Sequence, residues 1–284
     1  MGIRIGDIRF LNSWPVTYAL REGKIPTPAG ESELAVVSGA PTELNRKLLT
    51  GELDAGAVSS MLFLRHQEEF VPVPGFCIRS DGGISSVLVV SHQPLEEIKG
   101  RRIGVTNQGA TTPVLLKLLL NRRRLKAEME VTALRYPEIL SEYPAALLIG
   151  DEALQATQGP NRFATWDLGE QWTEWTRTPF VYALWVVRRT LVEERPGILE
   201  EIARRLRSSL EWGRGHQREI ILRMQGTFPW QARFLRRYLE RLSYDLDARA
   251  WEGLKRFARE ARELKEVPAS WRAESARPML VGAR

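Results

Sequence analysis

Four short polar stretches carry the residue types best suited to hold a small anion. Asn12, in FLNSWP, offers a carboxamide that both donates and accepts. Ser59-Ser60, closing DAGAVSS, offer two hydroxyls at a strand end and helix start, which suits a carboxylate. In Gly109-Ala110-Thr111-Thr112-Pro113 a glycine lets the backbone approach a ligand, and two hydroxyls stand where a helix opens its free N–H groups. Ser80-Asp81-Gly82-Gly83-Ile84-Ser85-Ser86 reads as a tight turn running into a strand. Strand alternation then lets only one of Ser85 and Ser86 face a given side. Each stretch also has a purely local reading. Asn12 and Ser59 are good helix caps or turn formers, and so is Asp151 in LLIGDEAL.

Stronger catalytic signatures are missing from the chain. It has no P-loop, no GxSxG, no HExxH, and no GxGxxG after a strand. His66, His92 and His216 fall on unrelated surface elements, so neither metal nor histidine catalysis is expected, and no cofactor. The single cysteine, Cys77 in VPVPGFCI, reads as a buried structural thiol and excludes an internal disulfide framework. A reducing, cytoplasmic location is therefore expected. MGIRIGDIRF alternates like a strand and lacks the apolar core of a signal peptide. No apolar run approaches membrane-spanning length, so no membrane partner is expected.

The elements that must position these residues are α and β in alternation. IRIGDIRF, ELAVVSG and DAGAVSS read as strands separated by helices from Ser13-Trp14-Pro15 and over PTELNRKLLTGE. That order predicts a parallel sheet, with ligands beyond its carboxyl ends at Leu11-Asn12, Ser38-Gly39 and Ser59-Ser60. RIGVT, MEVTAL, AALLIG and FATWDLG read as strands of a second unit. ISSVLVVS, residues 84–91, is expected to cross outward, and PFVYALWVVRR to return as a buried strand. The predicted organisation is two-lobed: residues 1–90 plus 182–284 form a discontinuous first lobe, and 91–181 an inserted second. Three amphipathic helical segments are expected after residue 195.

The formal charge of +6 is uneven. Residues 196–284 hold 19 Lys/Arg against 12 Asp/Glu, which leaves the first 195 residues near neutral. The cations interleave with Glu and apolar residues as on solvated helix faces, and no nucleic-acid-binding motif accompanies them. A nucleic-acid partner is not expected.

FLNSWP, GELDAGAVSS, SDGGISSVLVVS, TNQGATTPVLLK, LLIGDEAL and WDLGEQWTEWTRTPFVYALWVVRR, taken together, resemble the chorismate dehydratase family in order and spacing. That family acts first in the futalosine route to menaquinone, and the resemblance spans roughly residues 3–195. It implies an α/β, two-lobed type II periplasmic-binding-protein-like fold with a helical C-terminal region. It implies that Asn12 and Ser86 are catalytic and that the substrate is chorismate. Ser59, Ser60, Gly109, Ala110, Thr111, Thr112 and Asp151 are expected around the substrate, the serines and threonines as carboxylate anchors. A monomer or homodimer is expected. Two departures stand out: Ser80-Asp81-Gly82-Gly83 replaces an SDGP-like turn, and NSWP replaces an NTLP-like stretch.

The implied reaction removes water from chorismate to give 3-[(1-carboxyvinyl)oxy]benzoate. The proton leaves the carbon bearing the ether, which is vinylogous to the ring carboxylate, so donors at that carboxylate stabilise the transition state. Neither Asn12 nor Ser86 is a strong base. Asp151 is the nearest protein candidate for the proton acceptor, and a helix cap is its favoured reading. Three alternatives compete with this reading. The naphthoate-forming sister lyase carries an SPCPND-like start, and a His where this chain has Gly150-Asp151. A solute-binding protein would carry a secretion signal or lipobox Cys, and a ligand-sensing regulator a DNA-binding segment.

Overall fold

A computed structural model describes residues 2–98, 100–107, 109–159 and 163–271. The first part of the chain alternates strand and helix: β1 (Ile3–Ile8), α1 (Trp14–Arg21), β2 (Leu34–Gly39), α2 (Pro41–Thr50), β3 (Ala55–Ser59), α3 (Ser60–Arg65) and β4 (Phe70–Ser80). The middle follows with β5 (Val87–Ser91), β6 (Arg102–Thr106), α4 (Thr111–Arg122), β7 (Glu128–Thr132), α5 (Ile139–Glu142), β8 (Ala145–Ile149), α6 (Asp151–Gln158), β9 (Ala164–Asp167), α7 (Leu168–Thr176) and β10 (Phe180–Arg188). The remainder is mostly helical: α8 (Arg189–Glu194), α9 (Ile198–Gly215), α10 (Gln217–Thr227), α11 (Ala232–Glu240), β11 (Ser243–Asp245) and α12 (Ala248–Glu263).

The chain forms two compact units, one from residues up to 78, 183–247 and, of the described residues, 270–271, the other from 79–182 and 248–269. The first unit is built on a six-stranded sheet ordered β11-β4-β10-β3-β1-β2. β2, β1 and β3 run parallel and β10 runs against β3. Ile3 and Ile5 of β1 point the same way, as strand alternation requires, and pack with Val16, Ile202 and Leu206 from α1 and α9. α2 starts at Pro41 and stops where Gly51 takes φ +79, a left-handed conformation that terminates helices. Its Leu44 and Leu48, one turn apart, are its buried face.

The second unit carries a five-stranded sheet ordered β7-β6-β8-β5-β9. β7, β6 and β8 run parallel, and β5 runs against both β8 and β9. β5 and β8 are buried at every residue, as central strands covered on both faces should be.

Three sequence expectations differ from this arrangement. Residues 84–91 were expected to form one strand crossing between lobes. The crossing falls within β4, between Ile78 and Arg79, and β5 is an interior strand of the second sheet. Residues 84–86 are a turn, with Ser85 at φ +63, so strand alternation does not choose between the two serines. The lobes expected at 1–90 plus 182–284 and at 91–181 also differ at the C-terminus, because α12 packs with the second unit. There Phe257 joins Trp172 and Phe180 in edge-to-face contacts. A Cβ on Gly253 would stand 2.1 Å from the carbonyl oxygen of Pro179, so only glycine permits that approach.

Cys77 is buried in β4. No helix of the described residues is long and apolar enough to cross a membrane. Among those residues, no group of three or more His, Cys, Asp or Glu is placed to hold a metal ion. His216 stacks on Trp212 and bonds its carbonyl, and His92 bonds the carbonyl of Leu140, so both serve local packing.

Candidate functional site

In the first unit, parallel strands β2, β1 and β3 deliver three loops to one edge of the sheet. Asn12 lies in a single 3-10 turn, Leu11–Ser13, just past β1. The turn is fixed by its neighbours. Leu11 is buried, and the Ser13 hydroxyl donates to the carbonyls of Ile8 (2.6 Å) and Phe10 (2.9 Å). Ser13 stands at the start of α1 without capping it through its side chain. From β11, the Tyr244 hydroxyl donates to the Asn12 carbonyl at 2.9 Å. Burial pushes the Tyr244 phenol well above its ordinary pKa, so it remains a donor.

The Asn12 side chain is half-buried and makes no hydrogen bond to another described residue. The helix-cap reading of Asn12 therefore does not describe it. Its backbone is held, and its carboxamide is open to a ligand. Ser59 differs: its Oγ accepts from the Leu62 amide at 3.3 Å and caps α3. A hydroxyl that accepts in this way keeps its own hydrogen to donate. Ser60 follows it, fully buried.

The second unit brings together most of the remaining candidates. β5 runs against β8 and β9, so its start meets their ends. Ser86, 2% exposed, lies just before β5, and its carbonyl accepts from the Gly150 amide at 2.8 Å. Gly150, at φ +60, takes the N-cap position of α6. Asp151 is therefore the first helical residue, not the cap expected for it. β6 lies beside β8 and parallel to it, so the loop after β6 leaves the same edge. A Cβ on Gly109 would lie 3.4 Å from the Ile149 side chain at the end of β8. Ala110 precedes α4 without a side-chain cap, and Thr111 and Thr112 are buried in its first turn. Gln108 falls outside the described residues. Ser86, Gly109–Thr112 and Asp151 thus gather at one edge of the second sheet.

One residue at that edge escaped the sequence reading. Asp167 ends β9, and its Oδ1 accepts from the amides of Gly169 (3.0 Å) and Glu170 (3.2 Å), capping α7. Its Oδ2 accepts from the amides of Ile84 (2.8 Å) and Ser85 (2.6 Å). Burial raises its pKa, against the pull of these backbone donors. Asp167-Leu168-Gly169-Glu170 has the acidic-cap spacing that marks a helix start, which was the available signal.

Two α/β units interrupted by each other along the chain define the class, which is the fold of periplasmic binding proteins. The periplasmic aliphatic sulphonate binding protein of Escherichia coli superposes with a TM-score of 0.71 at 15% identity, covering 100% of this chain and 94% of that one. A crystal structure of an Archaeoglobus fulgidus protein gives a TM-score of 0.78 at 22% identity, over 94% and 98%. At these identities the likeness is one of fold.

A family model described as menaquinone biosynthesis matches residues 3–263, and the chain belongs to that family. A chorismate dehydratase from Thermus thermophilus is 32% identical over 273 residues, 89% of this chain and 93% of its own length. A 1,4-dihydroxy-6-naphtoate synthase from the same organism is 26% identical over 227 residues, 77% of each.

Proposed function

We propose that this protein is a chorismate dehydratase, a carbon–oxygen lyase of menaquinone biosynthesis that acts in the cytoplasm. The observation that carries this reading is the 32% identity to a chorismate dehydratase along nearly the whole chain. The naphthoate-forming relative matches less of the chain at lower identity. Gly150-Asp151 also stands where the sister lyase is expected to carry a histidine.

The reaction balances as loss of one water. The C–H bond at the ether-bearing ring carbon breaks, its electron pair enters the ring and is delocalised toward the ring carboxylate, and the neighbouring C–O bond releases hydroxide. Proton and hydroxide leave as water, and the new double bond completes an aromatic ring. Aromaticity drives the step, so the protein's work is to hold a dianion and to stabilise charge as it moves.

Asn12 and Ser86 are proposed to act on the reacting ring. An open carboxamide and a buried hydroxyl can each donate to the departing hydroxide or to the delocalised anion. Ser59 and Ser60 in one unit, and Gly109, Ala110, Thr111 and Thr112 in the other, are proposed carboxylate ligands. In the latter group the start of α4 supports the reading, because its N-cap residue, Ala110, has no polar side chain to compete with a ligand there. Asp151 is proposed to contact substrate from the first turn of α6. Asp167 does not serve as the proton acceptor, since each of its oxygens already accepts two amide hydrogens.

The test is to incubate the purified full chain with chorismate and follow the products by mass spectrometry. The expected result is chorismate minus one water, with an aromatic absorption spectrum. Chorismate bound and recovered intact would mark a binding protein and end this assignment.

A further inference from the structure

We infer that Asp167 is a positioning residue for Ser86: its carboxylate locks the turn 83–86 onto the start of α7 and so fixes where the Ser86 hydroxyl stands. The inference rests on the reading of Ser86 as a catalytic residue.

One carboxylate joins two segments far apart in sequence. Through Oδ2 it holds the amides of Ile84 and Ser85, and through Oδ1 those of Gly169 and Glu170. A cap on α7 requires only the second pair. The first pair carries the turn, and the turn needs carrying. Ser85 sits at φ +63, a region a non-glycine residue occupies only when its surroundings impose it. Residue 86 follows directly.

The packing around the turn agrees. A Cβ on Gly83 would lie 3.3 Å from Oδ2, so the chain passes close against the carboxylate. On the other side, the Ser80 hydroxyl donates to the Gly82 carbonyl (2.8 Å) and pairs with the Tyr182 hydroxyl (3.0 Å). A Cβ on Gly169 would lie 2.7 Å from the Gly82 carbonyl and 2.3 Å from the Tyr182 oxygen, so α7 begins pressed onto the same turn. Beyond Ser86, the Gly150 amide holds its carbonyl. Asp167 and Gly150 therefore brace residue 86 from its two chain directions. A carboxylate whose four acceptor directions face amides has no capacity left for substrate or a transferred proton, so it acts through the turn alone.

Asp167→Ser separates the two roles. Serine caps helices well, so α7 keeps its start, but its short side chain cannot also reach Ile84 and Ser85. The expected result is a folded protein whose kcat falls about tenfold or more, with KM within about twofold, since small misplacement of a reacting group costs rate. Amide hydrogen exchange at Ile84 and Ser85 should quicken without substrate present. In the Ser86→Ala background the same change should lower kcat little further, because both act through one group. Asp167→Asn, which keeps volume and cap, gives the same comparison if the serine variant folds poorly. Wild-type turnover with full activity in Asp167→Ser, or losses that multiply with Ser86→Ala, would overturn the inference. An inactive wild type or a fully active Ser86→Ala would instead overturn the reading of the site, and unchanged exchange at residues 84–85 would show that Asp167 does not hold the turn.

Discussion

The Tyr244 hydroxyl donates to the main-chain carbonyl of Asn12 across 2.9 Å, tying a strand near the C-terminal end of the first unit to the turn after its first strand. The bond acts on the backbone and leaves the Asn12 carboxamide untouched. Tyr244→Phe keeps the ring and removes the donor, and should cost about 1 kcal/mol of stability. Turnover should fall severalfold as Asn12 loosens. Thermal unfolding and steady-state kinetics check the two effects. Because burial holds the phenol protonated well above its ordinary range, the contribution should persist unchanged between pH 7 and 9.

Asn12→Ala should behave in the opposite sense. The carboxamide makes no hydrogen bond within the described residues, so its removal should change stability by no more than about 0.5 kcal/mol. Chorismate turnover should be lost. Ser86→Ala should also lower turnover severely, to a small but measurable remainder, while remaining folded, as judged by circular dichroism and denaturant titration. Full activity in both variants would remove these residues from the mechanism.

Much of this arrangement is legible in the sequence, for identifiable reasons. Strands such as β1 and β8 announce themselves through alternation or a continuous apolar run, and α2 through Pro41 and Gly51 at its ends. β4 did not, because Pro72, Pro74 and Gly75 interrupt its pattern. Its neighbour β11 is only three residues long, so among the described residues much of that edge of β4 has no strand beside it and tolerates residues without an amide. The catalytic roles proposed for Asn12 and Ser86 rest on the family resemblance, since by pattern alone an asparagine before a helix looks like a cap. Asp167 was half readable. Its cap on α7 is local, whereas Ile84 and Ser85 lie 83 and 82 residues away and only tertiary structure brings them in.

Gly253→Ala tests the placement of α12. The new methyl would meet the Pro179 carbonyl oxygen at 2.1 Å, and backbone cannot yield as a flexible side chain does. The expected loss is about 1–3 kcal/mol, the usual range for overpacking, read by denaturant unfolding. Gly226→Ala is the control: nothing lies within 4 Å of its Cβ position, and it should leave stability unchanged or slightly raised.

Asp54 sets an acid-side dependence. Burial opposes its ionisation, but Arg4 donates to it from its amide (2.8 Å), Nε (3.0 Å) and Nη2 (2.8 Å), and the net effect lowers its pKa. A lowered folded-state pKa means this contribution is fully present above the unfolded value of about 3.9. It is lost as pH falls through the folded value. Asp54→Asn should therefore cost about 1 kcal/mol at pH 7, discounted for the partly exposed Arg4, and flatten the acid limb of a stability profile.

The chain passes from one unit to the other within β4, within β10, ahead of α12 and again after residue 269. On the ribosome this imposes an order of completion. The first sheet waits for β10 and β11, and the second unit receives α12 only after the first has all its strands. Neither half can be cut out and expressed as a single uninterrupted stretch, so shuffling or swapping of halves must exchange several segments together.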